Sequence, residues 1–366
     1  MRRRFLGGLE RDLTRPFMVT EGLSDPSQPD DGFRCAALVG TVTVPPGGET
    51  EIGMIFGQSA KREEAKDLIR SNEFCLSKIA AFWYDMSNEG NLIEGNRIGY
   101  AGTPPDDDGA TGIENAGCHT IVRYNDIYGN GGMGYYSKMQ PKGGEATNLK
   151  SGSWGRVYHN TIYHGGFGDA SIYGNQFKHG VCIWSYAAFD DWPTNVVVKN
   201  NIVYDNYQEW RVGTSNILPQ VTYANNFNAN PGFVNPDMSD KSSLVLPDLR
   251  LSAGSPCVDA GAPLTLANGS GTGSLTLVVE DAFLFQDGTW GSGLTHGVTH
   301  FPDWIAVGTV ANAVRITAID YATKTITLAS PLTWADGDKI WLYSDSGGRR
   351  VLKGSAPDIG AHEADR

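Results

Sequence analysis

Three stretches of one design decide how this chain is interpreted: N-L-I-E-G-N-R-I at 91–98, I-V-R-Y-N-D-I-Y-G-N at 121–130 and V-V-V-K-N-N-I-V-Y-D-N at 196–206. They share a pattern of asparagine, any residue, then an apolar residue. It occurs five times, starting at Asn96, Asn125, Asn160, Asn200 and Asn225. A period in the twenties, lengthened in places by insertions, is typical of a solenoid with one coil per repeat. The sequence therefore predicts a stack of parallel strands.

A second strand-like run follows the asparagine step in four copies. These runs are G-I-E-N from Gly112, G-Y-Y-S-K from Gly134, G-V-C-I-W from Gly180 and E-W-R-V from Glu209. Strands buried on one side carry apolar residues at alternate positions, and stacked asparagines form hydrogen-bonded ladders. We expect an interior stack of Ile98, Ile127, Ile162, Ile202 and Phe227. The alternative is an antiparallel β-protein with Asn-rich turns, which does not explain the recurring step.

These coils resemble those of the right-handed parallel β-helix proteins, a superfamily of polysaccharide lyases, glycoside hydrolases and surface adhesins. The resemblance covers residues 91–230 and implies an all-β solenoid. It implies no particular chemistry, because one fold carries many different sites.

Composition limits the function classes further. The 366 residues carry a formal net charge of -12, which argues against nucleic acid, whose phosphates require basic patches. No apolar run of about 18 residues occurs, so no transmembrane segment is predicted. The start, M-R-R-R-F-L-G-G-L-E, has basic residues but no apolar centre, so no signal peptide is predicted. The five cysteines fit neither a zinc pattern nor a disulfide framework, and we expect buried free thiols.

The N-terminal segment has a different pattern. Residues 36–56 predict two strands joined by a Pro-Pro-Gly-Gly turn, and Ser59 to Glu73 predicts a charged helix. The motifs F-L-G at Phe5, C-A-A-L at Cys35, P-P-G-G-E-T-E-I at Pro45 and F-G-Q at Phe56 are similar to a segment of the cellobiose phosphorylase-like glycosyltransferases and hydrolases. In that family the segment belongs to a β-sandwich beside a helical catalytic barrel. The resemblance thus implies a sandwich fragment and supplies no catalytic residue.

Beyond residue 230, two segments resemble the closing motifs of bacterial secreted β-helix proteins: P-D-L-R-L-S-A-G-S-P-C-V-D-A-G from Pro247 and G-S-A-P-D-I-G-A-H-E from Gly354. Asp259 and Asp358 lie within turns and are expected to accept backbone N–H groups in a cap on the last coil. The resemblance implies an extracellular or cell-surface location. Between the two motifs, alternating strands predict a small β-barrel. Its tryptophans would be core residues or a sugar-stacking surface: Trp290, Trp304, Trp334 and Trp341.

The predicted organisation is therefore all-β, a right-handed parallel β-helix (solenoid) with an N-terminal sandwich-like fragment and a small inserted β-barrel. The predicted segments are a sandwich-like fragment at 1–75, the β-helix at 76–268, the inserted barrel at 269–345 and the closing motif at 346–366.

Aligning the second strands by their first residues predicts which side chains face outward. One outward row contains Glu114, Tyr136, Cys182 and Arg211, and the next contains Lys138 and Trp184. Outward rows are where a β-helix holds an extended polysaccharide. The long insertions at 100–109, 140–153 and 164–178 favour a site on this side, because solenoid loops gather on the binding face.

This set of side chains suits β-elimination of a uronate polymer. Arg211 or Lys138 would neutralise the carboxylate, and Lys138, Tyr136 or His179 would serve as base or acid. The remaining predicted substrate-binding residues are Trp184, Lys142, Asp190 and Asp191.

Two other functions stay open. Glu114 with Asp190 or Asp191 would form a hydrolytic carboxylate pair, or the outward row would bind glycan without chemistry. Related lyases often use calcium, for which the candidate ligands are Asp106, Asp107 and Asp108, although such a run is more often a solvated turn. The expected partner is a polysaccharide, and the expected state is a monomer.

Overall fold

The computed structural model of the protein describes residues 34–44, 48–58, 68–70, 73–75, 80–84, 90–101, 111–139, 152–167, 178–185, 193–212, 220–238, 246–289 and 301–364. At 34–80, 83–84, 138–139 and 185 it describes the backbone alone. Among the described helices, none is long and apolar enough to cross a membrane. The first two strands, β1 (Arg34–Val44) and β2 (Gly48–Gln58), form an antiparallel hairpin, as predicted.

Stacked parallel strands dominate the fold and form three sheets. The first stacked sheet contains β3 (Leu68–Arg70), β6 (Leu92–Glu94), β9 (Ile121–Arg123), β12 (Arg156–Tyr158), β15 (Val196–Lys199) and β18 (Val221–Ala224). The second contains β4 (Glu73–Cys75), β7 (Arg97–Gly99), β10 (Asp126–Tyr128), β13 (Thr161–Tyr163) and β16 (Ile202–Tyr204). The third contains β5 (Ala80–Tyr84), β8 (Thr111–Asn115), β11 (Tyr135–Met139), β14 (Val181–Ser185) and β17 (Trp210–Val212).

The chain visits the three sheets in turn, and each strand pairs in parallel with the strand one coil later. This arrangement is consistent with the predicted solenoid. The stacking begins earlier than expected, because β3 pairs with β6 and β4 pairs with β7. The predicted helix from Ser59 to Glu73 is therefore wrong at Leu68–Arg70 and at Glu73, while residues 59–67 lie outside the described residues.

From β6 onward, a short turn with one residue in the left-handed conformation leads from the first stacked sheet to the second; the turn between β3 and β4 lies outside the described residues. The turn residues are Gly95, Tyr124, His159, Asn200 and Asn225. In these five coils the next residue is a ladder asparagine: Asn96, Asn125, Asn160, Asn201 and Asn226. Each ladder amide donates to the carbonyl oxygen of the next, over 2.8 to 3.0 Å. The predicted ladder is confirmed.

The fourth and fifth copies of the repeat are, however, displaced by one residue from the prediction. The ladder uses Asn201 and Asn226, whereas the predicted steps start at Asn200 and Asn225. Correspondingly, Ile162 pairs with Val203, which lies in the interior, while Ile202 faces outward. The predicted interior positions of Ile202 and Phe227 are therefore wrong, since shifting a strand by one residue moves its side chains to the other face.

Two C-terminal segments cover the outer face of the second stacked sheet. β19 (Phe233–Asn235) and β20 (Asp248–Leu251) form a hairpin whose Leu249 packs on the tyrosines of that sheet. The closing segment 357–364 then crosses the same face. There the backbone N–H of Gly360 donates to Asn200, and the His362 ring lies 2.8 Å from a carboxylate oxygen of Asp126. Gly360 has a φ of 100°, which L side chains rarely adopt, and a Cβ there would lie 2.6 Å from Ile202 Cδ1, so this crossing favours glycine.

The two closing motifs contact each other through their aspartates. Asp358 accepts from the N–H groups of Asp259 and Ala364, both at 2.7 Å, and Asp259 accepts from Ala356 at 3.2 Å. The predicted acceptor role of both aspartates is confirmed. The segment is not only a cap on the last coil, because its contacts run along the side of several coils.

An antiparallel half-barrel covers the first stacked sheet. Its strands are β21 (Thr265–Leu266), β22 (Gly271–Val278), β23 (Trp304–Val307), β24 (Ala313–Asp320), β25 (Thr325–Trp334) and β26 (Lys339–Ser344), with a 3-10 helix at Ala282–Leu284. A bridge between Ala267 and Val279 joins the two edges. The alternating strands predicted between the two closing motifs are present. Trp334 and Trp341 are buried, whereas Trp304 is 39% exposed and not a core residue; Trp290 lies outside the described residues.

A buried ionic network joins the half-barrel to the stack. Arg123 of β9 contacts Glu94 of β6 at 2.5 Å and Asp303, just before β23, at 2.7 Å. All three side chains are fully buried, and Ser346 donates to Glu94. Removing one member would leave an uncompensated buried charge, so the network fixes how the half-barrel seats on the first sheet.

Candidate functional site

The third stacked sheet carries the outward row that the sequence predicts. Tyr136 pairs in register with Glu114 on one side and with Cys182 on the other, and Cys182 pairs with Arg211. Neighbouring strands lie about 4.8 Å apart, so the four side chains span roughly 14 Å along the stack. In the next row, the backbones of Lys138 and Trp184 pair. The predicted register of these rows is confirmed.

The middle of this row is not an open groove. Tyr136 is 2% exposed and Cys182 is fully buried, because Met133 and Trp184 pack against them. Glu114 and Arg211, at the two ends, are half-buried. The expectation that the whole row faces a bound polymer is therefore wrong at its centre, and Glu114 and Arg211 are its accessible members.

Arg211 is held against an aromatic face. Its guanidinium carbon lies 5.0 Å from the ring centroid of Trp184, within the range of a cation–π contact. Burial raises the pKa of the neighbouring Cys182 thiol to about 12, although the charge of Arg211 acts in the opposite direction. Cys182 is therefore a neutral packing residue and not a nucleophile at neutral pH. The arrangement offers one oriented cation at the edge of the sheet.

His179 lies two residues before β14 and is 2% exposed. Its carbonyl oxygen accepts from the N–H of Gly134, which fixes the chain at the start of the third sheet. His179 and Tyr136, two of the three predicted acid–base residues, are thus both almost fully buried. A polymer would reach either ring only if the neighbouring side chains moved.

Several predicted residues lie outside the described part of the molecule. These are Lys142, Asp190, Asp191, Asp106, Asp107 and Asp108, together with the side chain of Lys138. Among the described residues, no group of three or more His, Cys, Asp or Glu side chains is placed to hold a metal ion. The calcium site remains a prediction.

Sequence reasoning missed a histidine–aspartate pair at the corner between the second and third stacked sheets. His164 Nδ1 lies 2.8 Å from a carboxylate oxygen of Asp205, and the two side chains are 35% and 46% exposed. His164 follows β13 and Asp205 follows β16, so they occupy equivalent positions in successive coils. The signal was the 41-residue step from Asn160 to Asn201, which was concealed because the predicted pattern steps from Asn160 to Asn200.

Exposed aromatic rings surround this pair. Phe167 is 49% exposed and stacks on His164 at 4.4 Å, and Tyr207 is 45% exposed beneath the ammonium of Lys178 at 5.1 Å. We call these five residues the corner cluster: His164, Asp205, Phe167, Tyr207 and Lys178. Exposed aromatic faces beside charged groups suit the apolar face and the polar substituents of a sugar ring.

Comparison with known proteins gives one partial match. A family model described as glycosyl hydrolase 94, supersandwich domain, matches residues 1–73. The match covers the N-terminal segment alone. It supports the similarity noted for that segment, and it assigns no family to the stacked sheets. No curated protein and no solved structure gave a significant match.

Proposed function

We propose that the chain is a right-handed parallel β-helix that binds an acidic polysaccharide along its third stacked sheet and cleaves it by β-elimination. We further propose an N-terminal sandwich domain, a closed C-terminal barrel, a monomeric state and an extracellular or cell-surface location. The observation that best supports binding and cleavage on the third stacked sheet is the position of Arg211. It is oriented by Trp184 on the third sheet, while the described contacts of the C-terminal segments lie on the first and second sheets.

The chemistry follows from the groups on this side of the molecule. Elimination removes the proton next to the uronate carboxylate, forms a carbon–carbon double bond and expels the glycosidic oxygen, which gains a proton. Arg211 would neutralise the carboxylate and so lower the cost of the carbanion-like transition state. His164, held by Asp205, is an exposed candidate base, since imidazole is effective near neutral pH.

The predicted roles of Lys138, Tyr136 and His179 as base or acid remain alternatives to His164. Tyr136 and His179 would act only after their buried surroundings open. Lys138 shares its row with Trp184, which places it one row beyond Arg211. If calcium is bound through Asp106, Asp107 and Asp108, it would assist in neutralising the carboxylate.

A second candidate function is glycan binding without cleavage. The burial of Tyr136 and His179 favours it, because it leaves fewer accessible proton-transfer groups on the third sheet. Hydrolysis by Glu114 with Asp190 or Asp191 is a third candidate, to which the glycosyl hydrolase 94 match at residues 1–73 lends general support.

The deciding experiment incubates the protein, with and without calcium, with alginate, pectate, hyaluronan and chondroitin. It follows ultraviolet absorbance and new reducing ends together. A rise in both signals means elimination, since the new double bond is conjugated to the carboxylate. Reducing ends without absorbance mean hydrolysis, and binding without either signal means a binding protein.

Variants then test the proposed role of Arg211 in neutralising the carboxylate. Arg211→Gln is expected to abolish most of the absorbance signal, whereas Arg315→Gln removes an exposed cation from β24 and should leave it unchanged. Full elimination activity in Arg211→Gln would refute the proposed role.

A further inference from the structure

A cavity of about 430 Å³ lies at the corner between the first and second stacked sheets. Its floor includes Tyr124, the turn residue of one coil, and its walls come from the closing segments around 250–253, 349–353 and 361–364. In each triangular coil this corner lies across from the third stacked sheet. The cavity is therefore separate from the proposed polysaccharide site, and its volume falls within the usual range for small-ligand pockets.

The side chains around the opening are mainly cationic, although the chain as a whole carries a net charge of -12. Arg250, Arg349, Arg350 and Lys353 line the cavity, and among the described lining residues Glu363 is the only one with a carboxylate. Both oxygens of Glu363 accept backbone N–H groups, from Lys353 at 3.0 Å and from Asp358 at 2.8 Å. The carboxylate is thus committed to holding the chain.

The arginines have existing partners that a ligand can compete with. Arg250 pairs with Asp248, and Arg349 pairs with Asp345 at 2.9 Å. Arg250 is 58% exposed and Asp248 30%, and exposed ion pairs contribute little stability. Arg349 is 48% exposed, whereas its partner Asp345 is 5% exposed and also accepts from the backbone N–H groups of Gly347 and Arg349. Arg350 donates from Nε to the carbonyl of Leu352, and its terminal nitrogens are not part of that bond.

Tyr124 supplies the second, independent observation. Its side chain is 95% buried, and its hydroxyl makes no hydrogen bond within the described part of the chain. His159 stacks against its ring at 5.3 Å, and the Arg349 guanidinium lies over the ring at 5.4 Å. A buried hydroxyl without a partner is unfavourable, and a ligand oxygen in the cavity would satisfy it.

We propose that this cavity binds a small ligand carrying an oxyanion, either a carboxylate, as on an acidic sugar, or a free sulfate or phosphate. The oxyanion contacts Arg349, Arg350 and Lys353 at the opening. A ligand oxygen accepts a hydrogen bond from Tyr124 on the floor. Charge-assisted hydrogen bonds from arginine and lysine are the strong contacts that such a ligand requires.

Isothermal titration calorimetry at constant ionic strength tests the proposal. The ligands are an oligogalacturonate, its neutral galactose counterpart, sodium sulfate and sodium phosphate, against a chloride background. At least one anion should bind and the neutral sugar should not. Arg349→Gln and Lys353→Gln should each weaken binding on the order of tenfold, the loss of one charge-assisted bond. Tyr124→Phe keeps the ring and should weaken it several-fold.

The controls separate this cavity from general charge and from the third sheet. Arg315→Gln makes the same charge change at an exposed site and should bind as the wild type does. Uronate bound at the third sheet would instead be weakened by Arg211→Gln and not by Arg349→Gln or Lys353→Gln. Uronate binding that sulfate and phosphate do not displace identifies a saccharide ligand, whereas displacement or direct binding identifies a free oxyanion. The proposal is overturned if no anion binds, or if Arg349→Gln and Lys353→Gln weaken binding no more than Arg315→Gln does.

Discussion

Replacing Arg123 by methionine is expected to lower the free energy of unfolding by about 3–5 kcal/mol near neutral pH. The reason is geometric. The guanidinium contacts Glu94 through Nε and Asp303 through both terminal nitrogens, and it also donates to the Tyr158 hydroxyl at 2.9 Å. Methionine fills much of the same volume but leaves two carboxylates fully buried without their cation.

The loss should depend on pH with a definite sign. Burial raises the pKa of Glu94 and the pKa of Asp303, and the charge of Arg123 opposes both shifts. A carboxyl group with a raised pKa in the folded state contributes stability that is present at low pH and lost as pH rises through that pKa. Without Arg123 both pKa values rise further. The difference between variant and wild type should therefore be larger at about pH 8 than at about pH 5.

Urea unfolding at the two pH values measures this difference, with Arg315→Met as the exposed control. Adding Glu94→Gln to Arg123→Met should restore part of the lost unfolding free energy, because one of the two buried carboxylates left without a cation is then replaced by a neutral amide. The reasoning is refuted if Arg123→Met costs less than about 1 kcal/mol, or if its cost is the same at both pH values.

Three further predictions concern other parts of the molecule. Asn160→Ala removes hydrogen bonds to Val122, Tyr158 and Asn201 and should cost about 2–4 kcal/mol in urea unfolding, whereas Asn226→Ala at the half-exposed end of the ladder should cost less. Asp358→Asn should cost about 1–2 kcal/mol and speed amide exchange at Asp259 and Ala364; unchanged exchange would contradict the acceptor role. Because burial raises the pKa of Cys182 to about 12, the folded protein should resist alkylation of this thiol at about pH 8, and unfolded protein should not, as peptide mass spectrometry will show.

The repeated asparagines made the stacked sheets predictable, but not the register of the fourth coil. Both Asn200 and Asn201 begin an asparagine, any residue, apolar residue step, since Ile202 and Val203 are both apolar. Ile202 is apolar because it packs against segments that are distant in the sequence. It faces outward and is covered by Leu251, Cys257 and Ile359 of the closing segments. A local pattern cannot distinguish an interior residue from an outward residue buried by a distant segment.

The same limit applies to the candidate site. Alternation along the strands correctly placed Glu114, Tyr136, Cys182 and Arg211 in one row, because register follows from local periodicity. Whether that row is exposed to solvent depends on which side chains pack over it, and here Met133 and Trp184 do so. The first strands of the stack were missed for a different reason. Leu68–Arg70 and Glu73–Cys75 are only three residues long each, too short for periodicity to separate them from a helix.

The burial of Tyr136 and His179 changes where proton transfer should be sought. A base must reach its proton within hydrogen-bond distance of the substrate, so geometry restricts the candidates before pKa does. On the described surface, the oriented cation Arg211 lies on the third sheet, and the exposed His164–Asp205 pair lies at the adjoining corner. A polymer engaged by both groups must cross from the sheet to the corner, past the exposed rings of Phe167 and Tyr207. Elimination therefore requires a substrate bent around this corner or a base on the sheet itself, and Lys138 is the predicted residue that would supply the latter.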